Sequence, residues 1–146
     1  MQISSKFTIA VHTLLLIDLF ANERKVTSLF IASSVCVHPV IVRRTLADLK
    51  RAGLITVQAG TGGASLAKSA WEITLFDIYQ ASESAQENLF GFHEQPNPLC
   101  VVGKNIHAIL DGHLIEAQQV FEDNLKTTTL AELQQETEKY ITEEKE

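Results

Sequence analysis

The sequence predicts a mainly α-helical fold that carries one small β-hairpin and one long helix near its end. Apolar residues recur at helical spacing through most of the chain. Two short segments of β-forming residues flank a glycine-rich turn at 60–63, and one apolar stripe continues for about six helical turns after residue 105. With 146 residues and 45% hydrophobic content, the chain is long enough to bury a core without disulfides.

Three helices are predicted in the first third of the chain. Apolar spacing predicts the first from Ile3 to about residue 21. Thr27 or Ser28 is a suitable N-cap for a short second helix, because a hydroxyl accepts hydrogen bonds from the first free amides. Pro39 suits the first position of a third helix, since its missing N–H would be unpaired there, and Gly53 suits the position just after it.

A β-hairpin and three more helical segments are predicted after Gly53. The hairpin consists of residues 54–57 and 64–66 around the glycine turn. It is followed by a helix from Ile73 to about Ser82, a loop over 83–104, a long helix from about Asn105 to Lys126, a short acidic helix starting at Thr129 and a frayed tail over 142–146.

This order of elements is that of a winged helix-turn-helix, in which the third helix enters the DNA major groove. Val42, Leu46 and Leu49 predict the core face of that helix, and the basic residues lie away from it. The alternative is a solvated basic face with no ligand. The candidate DNA-binding residues are His38, Val40, Arg43, Arg44, Lys50 and Arg51 on the helix, with Gln58 and Thr61 in the wing.

The charge is divided unequally along the chain. Residues 1–70 carry a net charge of +5 and residues 71–146 carry −11, which gives the total of −6. A low overall pI would argue against nucleic-acid binding, but binding responds to the local field of one face. The acidic half is equally consistent with a solubilising surface.

The long apolar stripe predicts a homodimer with two-fold symmetry. It is too long for a domain of this size to cover, and two-fold symmetry would place two reading helices on the half-sites of a pseudo-palindrome. The alternative is that the stripe packs wholly against the first helix of its own chain. The candidate interface residues are Ile106, Ile109, Leu110, Leu114, Ala117, Val120 and Phe121.

Other classes of function have little support in the sequence. Residues 62–69 nearly fit a phosphate-binding loop but lack its second glycine, and there is no catalytic signature, so we expect no enzyme activity. His93, Cys100 and His107 match no metal-ligand spacing, and we expect no metal or other cofactor. No apolar run is long enough to span a membrane and the first residues lack a signal-peptide pattern, so we expect a cytoplasmic protein.

The chain resembles the Rrf2 family of bacterial winged-helix regulators over about residues 3–135. The resemblance lies in an ordered series of blocks: 49–55 (LKRAGLI), 60–63 (GTGG), Leu66-Ala67, 72–83 (EITLFDIYQASE) and 97–103 (NPLCVVG) before a long helix. It implies a DNA-binding regulator with a dimerisation helix. The predicted parts are then a winged helix-turn-helix domain (1–82), a sensor or connector loop (83–104), and the dimerisation helix with a short C-terminal helix (105–146).

Two departures from the family pattern change what the resemblance implies. Iron–sulfur members place three cysteines and one further ligand in the loop before the long helix, whereas this loop contains only Cys100. An iron–sulfur cluster is therefore not expected. Many members also carry an arginine beside the first wing glycine, and Ala59 stands there in this chain after Gln58. Recognition of the DNA sequence is then expected to depend on the third helix more than on the wing.

The two cysteines are candidates for a redox or electrophile response. Cys36 falls just before the third helix, whose N-terminus would favour a thiolate, and Cys100 falls just before the long helix. In a dimer, an oxidant could join Cys36 to Cys100 of the other subunit if their Cα atoms come within ~7 Å. The alternative is that Cys36 is an inert core residue and Cys100 a loop-packing residue.

Two functions follow from these observations. The first is a sequence-specific, dimeric repressor that binds double-stranded DNA and responds to an oxidant or electrophile. The second is a regulatory protein–protein interaction module that has lost DNA binding and uses its apolar stripe to sequester an enzyme or another regulator. The acidic total charge and Ala59 favour the second, and the basic third helix favours the first.

Overall fold

A computed structural model describes residues 3–60, 62–83 and 89–146, and it contains six α-helices and one two-stranded sheet in those ranges. The helices are α1 (Ser5–Phe20), α2 (Ser28–Val35), α3 (Pro39–Arg51), α4 (Leu75–Ser82), α5 (Val101–Leu125) and α6 (Leu130–Glu144). The strands are β1 (Ile55–Val57) and β2 (Ala64–Leu66), and a 3-10 turn spans Ala70–Glu72. The fold is thus mainly helical with a small β-wing, as predicted.

The first three helices form the predicted helix-turn-helix around one core. Thr27 caps α2 by accepting a hydrogen bond from the Phe30 amide at 3.2 Å. Gly53 follows α3 with φ +78°, a conformation that glycine adopts without strain. The largest fully buried side chains are contributed by α1, α2, α3, the wing and the segments around α4 and α6, and they include Leu14, Ile17, Ile31, Val42, Leu49, Leu54, Ile55, Ile73, Ile78 and Leu130.

The wing is an antiparallel pair in which Ile55, Thr56 and Val57 face Leu66, Ser65 and Ala64. It is fixed to the segment before α2, because the Ala64 amide donates to the Val26 carbonyl at 3.0 Å. Gly63 makes this approach possible. A Cβ atom there would lie 2.9 Å from the Val26 nitrogen, and the φ of Gly63 is +75°.

The C-terminal helix α6 folds back onto the helix-turn-helix domain. Thr74 and Thr129, the N-caps of α4 and α6, pair in an antiparallel bridge. Two backbone hydrogen bonds flank this bridge, from Leu75 to Thr128 at 3.0 Å and from Leu130 to Ile73 at 2.8 Å. Each threonine also forms a capping box with the acidic residue three positions later. The start of α6 is therefore held by backbone pairing as well as by the buried Leu130.

Three predicted boundaries are corrected by the structure. The long helix begins at Val101 rather than Asn105, so the connector loop ends at Cys100. Helix α6 has 15 residues and continues to Glu144, so it is not short and the predicted frayed tail is helical over 142–144. Its capping box and its contacts with α1 stabilise a length that its acidic composition alone did not indicate.

Within the described ranges no single helix is long and apolar enough to cross a bilayer. Helices α2 and α3 reach that length and composition only when they are taken together, and a bend of 113° separates them.

Candidate nucleic-acid interface

The leading end of α3 is organised by His38 and Pro39. His38 is the N-cap, and its Nδ1 accepts a hydrogen bond from the Val40 amide at 3.1 Å. An accepting Nδ1 places the proton of the neutral ring on Nε2, which makes Nε2 a donor. Pro39 occupies the first turn, where no N–H is needed. The exposed His38 ring therefore stands at the end of α3 that a groove-reading helix presents first.

Helix α3 has one buried face and one exposed basic face, as predicted. Val42, Thr45, Leu46 and Leu49 are buried, and the Thr45 hydroxyl is satisfied by donating to the Ile41 carbonyl at 2.9 Å. The rest of the helix surface is exposed and includes all the predicted contacts of this helix: Val40, Arg43, Arg44, Lys50 and Arg51. The arrangement follows directly from the helical spacing of the apolar residues.

Arg43 and Arg44 lie on different sides of the exposed face. Arg43 and Lys50 line a groove of about 360 Å³ between α3, the start of α2 and the wing, where Gln58 also lies. Arg44 lines a second cavity of about 440 Å³ between α3 and the start of α1, together with Lys6. Consecutive helical residues point 100° apart, so the pair brackets the face of α3 rather than concentrating on one point.

Arg51 and Thr61 differ from the other predicted contacts. Arg51 forms an exposed ion pair with Asp48 at 3.0 Å, one turn earlier on the same helix. A phosphate would have to compete with that carboxylate, which weakens the prediction that Arg51 contacts the backbone. Thr61 lies outside the described residues.

The sequence patterns did not predict two features of this surface. The N-terminus of α2, with Thr27 and Ser28, lines the same groove as Arg43 and Lys50, and helix N-termini favour anions. Lys6 of α1 lies beside Arg44, although 38 positions separate them in the chain. The N-cap signal at Thr27 could have indicated the first feature, whereas the second depends on tertiary packing.

Helix α5 extends from the body and has no fully buried residue. The predicted stripe divides between two sides of the helix. Phe121 is half-buried and contacts Tyr79 of α4, and Leu114 shares its side, whereas Ile109 and Val120 are exposed on another side. Of the remaining predicted interface residues, Ile106 is half-buried, and Leu110 and Ala117 are exposed. The alternative in which the whole stripe packs against the chain's own first helix is therefore wrong.

Both cysteines are exposed and free. Cys36 ends α2 with φ +60°, and its Sγ lies 3.6 Å from the Ser33 carbonyl oxygen, back toward α2 rather than over the start of α3. The alternative of an inert core Cys36 is wrong, because the side chain is at the surface. Cys100 is the N-cap residue of α5, and the backbone amides of Gly103 and Val102 in the first turn lower the pKa of its thiol, although the thiol forms no capping hydrogen bond. The thiolate-favouring helix end is thus at Cys100.

His107 is held by Asp111 one turn later on α5. Its Nδ1 lies 3.0 Å from one carboxylate oxygen of Asp111, and its ring centroid lies 5.5 Å from that of His93 in the connector. Across the described parts of the chain, no group of three histidine, cysteine or carboxylate side chains is arranged to hold a metal ion.

Comparison with known proteins places this interface in a family. The model of the Rrf2 family, described as an iron-dependent transcriptional regulator, matches residues 3–136. The chain belongs to the Rrf2 family. It is 40% identical over 132 residues to the HTH-type transcriptional regulator YwnA of Bacillus subtilis (strain 168), covering 90% of this chain and 96% of YwnA. As a family member it is a DNA-binding transcriptional regulator and not an enzyme.

Solved structures agree with this assignment. One described as a DNA binding protein is 36% identical, with a TM-score of 0.70 over 88% of this chain and 98% of that one. A transcriptional regulator from Lactobacillus plantarum has a TM-score of 0.77 over 97% of both chains, and its 24% identity supports the fold alone.

Iron, which the family description implies, does not fit the residues of this Rrf2 protein. The sequence has two cysteines in total, and one of them, Cys36, lies in the helix-turn-helix. Among the described residues, Cys100 and His93 of the connector belong to no group of three histidine, cysteine or carboxylate side chains that could hold a metal ion. We therefore assign no role to an iron–sulfur cluster.

Proposed function

We propose that this Rrf2 protein is a sequence-specific repressor that binds a pseudo-palindromic operator as a homodimer. The observation that carries the proposal is the exposed basic face of α3, bracketed by Arg43 and Arg44 and bordered by the wing. Arginine at such positions pairs with phosphates or with the O6 and N7 atoms of guanine. Arg43 with Lys50, and Arg44 with Lys6, line two separate cavities on either side of α3 and so offer cationic groups to the phosphates on both sides of the helix.

Salt dependence tests DNA binding directly. The fragments of genomic DNA that the purified protein retains would define the operator. The logarithm of the binding constant for this operator should then fall linearly with the logarithm of the salt concentration. Arg43→Ala should weaken binding by at least tenfold and reduce the salt slope by about one, whereas Lys139→Ala on α6 should change neither. Retention of no fragment at low salt, or an Arg43→Ala variant equal to the parent, would overturn the repressor proposal.

The dimer is proposed to form along the exposed side of α5. Val102, Ile109 and Val120 are exposed apolar residues, and their spacings of 7 and 11 keep them on one side of the helix. A second copy of the same helix would cover this side, and the proposal requires the two α3 helices of that dimer to fit half-sites one helical turn apart, or a multiple of that. A different regulatory protein on the same surface is the competing outcome.

Two isoleucines of α5 provide a matched test. Ile109 and Ile115 are 58% and 63% exposed, and they point about 120° apart around the helix. Ile109→Glu should convert the dimer to a monomer in sedimentation at micromolar concentration and abolish operator binding. Ile115→Glu should remain dimeric. A parent protein that sediments as a monomer would contradict the proposal.

The response to an oxidant or electrophile is proposed to begin at Cys100. Its thiol pKa is lowered at the start of α5, so a change there acts directly on the proposed dimer helix. Oxidation by hypochlorite would remove two electrons and two protons from Cys36 and Cys100 of the other subunit and join their sulfur atoms. Such a bridge requires the Cα atoms to come within ~7 Å in the dimer.

The two cysteines can be separated by single substitutions. The parent should give a reducible dimer band after hypochlorite treatment and lose operator affinity, and both Cys36→Ser and Cys100→Ser should prevent the band. If an electrophile acts without a bridge, only Cys100→Ser removes the response. A band and a binding change that persist in both variants would overturn the thiol response.

A further inference from the structure

The exposed face of α3 carries apolar side chains on its outermost line. At 3.6 residues per turn, Val40, Arg44, Ala47 and Arg51 follow one another along one side of the helix. This side is opposite to the buried Val42, Leu46 and Leu49, and all four residues are exposed. The line therefore alternates between an apolar side chain and an arginine.

Val40 occupies the position on this line that a groove-reading helix presents to base edges. It is the second residue of α3, and its amide is held by the His38 side chain. The residues near the N-terminus of a reading helix are those that contact the bases. Val40 has no hydrogen-bonding group, so whatever it meets in the groove must be apolar.

The major groove offers one apolar group. Of the four bases, only thymine presents a methyl group there, at C5, and the other edges present donors and acceptors. An edge without an apolar group would leave its polar atoms unpaired beneath Val40, which costs free energy. Ala47, about two turns later, offers a second and smaller apolar contact on the same line.

We propose that Val40 reads the C5-methyl group of a thymine in each half-site, so that the operator requires thymine at the position facing the start of α3. This inference rests on the proposed DNA binding and adds the identity of a base and of the residue that specifies it. Arg44, next on the line, would then contact the guanine or phosphate beside that thymine.

Removal of single methyl groups from the operator tests the proposal. Each thymine of the retained fragment would be replaced in turn by deoxyuridine, which differs only in the C5-methyl group, and affinity would be measured by fluorescence anisotropy at constant salt. One position per half-site should show a loss of about fourfold, and replacement in both half-sites a loss of roughly 15-fold.

Val40→Ala and Ile41→Ala then assign the contact. The two residues are adjacent and equally exposed at 39%, but Ile41 lines the cavity beside α1 rather than the outer face. In Val40→Ala, the thymine and deoxyuridine operators should bind equally, and in Ile41→Ala the preference for thymine should remain. Circular dichroism would verify that both variants are folded.

Each outcome bears on a distinct statement. An operator that binds but tolerates deoxyuridine at every position overturns the methyl readout and leaves DNA binding intact. A thymine preference that is undiminished in Val40→Ala shows that another residue reads the methyl group and also overturns the proposal. Retention of no DNA fragment overturns the DNA-binding function, and the methyl readout with it.

Discussion

The ring of Phe121 in α5 meets the ring of Tyr79 in α4 edge to face, with the ring centroids 5.6 Å apart. Tyr79 in turn meets Phe7 of α1 at 5.8 Å in the same geometry. These three rings connect the long helix to the first helix of the DNA-binding domain. Continuous packing therefore joins the proposed dimer helix to α1, which in turn packs against α3.

Phe121→Ala should loosen this connection. Loss of an aromatic pair and of its buried area should lower the free energy of unfolding by about 1–3 kcal/mol. Urea denaturation at fixed protein concentration measures the effect, because a dimer's stability depends on concentration. Tyr140→Ala, which removes an exposed aromatic residue of α6, is the control and should be near neutral. Equal stabilities of the two variants would contradict the role given to the ring contact.

His38→Ala should destabilise the start of α3. The substitution leaves the Val40 amide without its acceptor and should cost about 0.5–1 kcal/mol in urea denaturation. His38→Asn restores an acceptor and should recover the stability. If the His38 ring also contacts DNA, the asparagine variant will still bind the operator less tightly than the parent. A fully stable His38→Ala variant would show that the cap contributes nothing.

Gly63→Ala should displace the wing. The new Cβ would lie 2.9 Å from the Val26 nitrogen, at a φ of +75° that alanine rarely adopts, so we expect a loss above about 1 kcal/mol. Gly112→Ala is the contrast, since no atom lies within 4 Å of its added Cβ and it sits inside α5. That change should raise the free energy of unfolding by roughly 0.5–1 kcal/mol. Similar effects of the two alanines would argue against the close approach at Gly63.

Asp18→Asn should stabilise the protein at neutral pH. Burial, and secondarily Glu138 of α6, raise the pKa of Asp18. The folded protein then holds this proton more tightly than the unfolded chain, so the ionised carboxylate destabilises the fold above the folded-state pKa. The gain in Tm of Asp18→Asn should therefore be present at pH 7 and shrink as pH falls through the two pKa values. Glu116→Gln, at an exposed site, is the matched control and should leave the Tm at pH 7 near that of the parent.

Local patterns in the sequence were sufficient for most of the fold. The spacing of Val42, Leu46 and Leu49 defined both faces of α3, and Thr27, Pro39 and Gly53 marked helix ends, because capping and backbone preferences act within a few residues. The same spacing identified the exposed positions of Val40, Arg43 and Arg44 without any knowledge of the tertiary structure.

The tertiary structure decided what depends on neighbours distant in the chain. The sequence predicted too short a helix after Thr129 and left open which side of α5 meets the body, since these features depend on the Thr74–Thr129 pairing and on the contact of Tyr79 with Phe121. It could not place Lys6 beside Arg44 either. It also assigned the thiolate-favouring helix end to Cys36, whereas the start of α5 lies at Val101 and gives that environment to Cys100. Hydrophobic periodicity identifies the faces of a helix, but the partner of each face is set by packing across the whole chain.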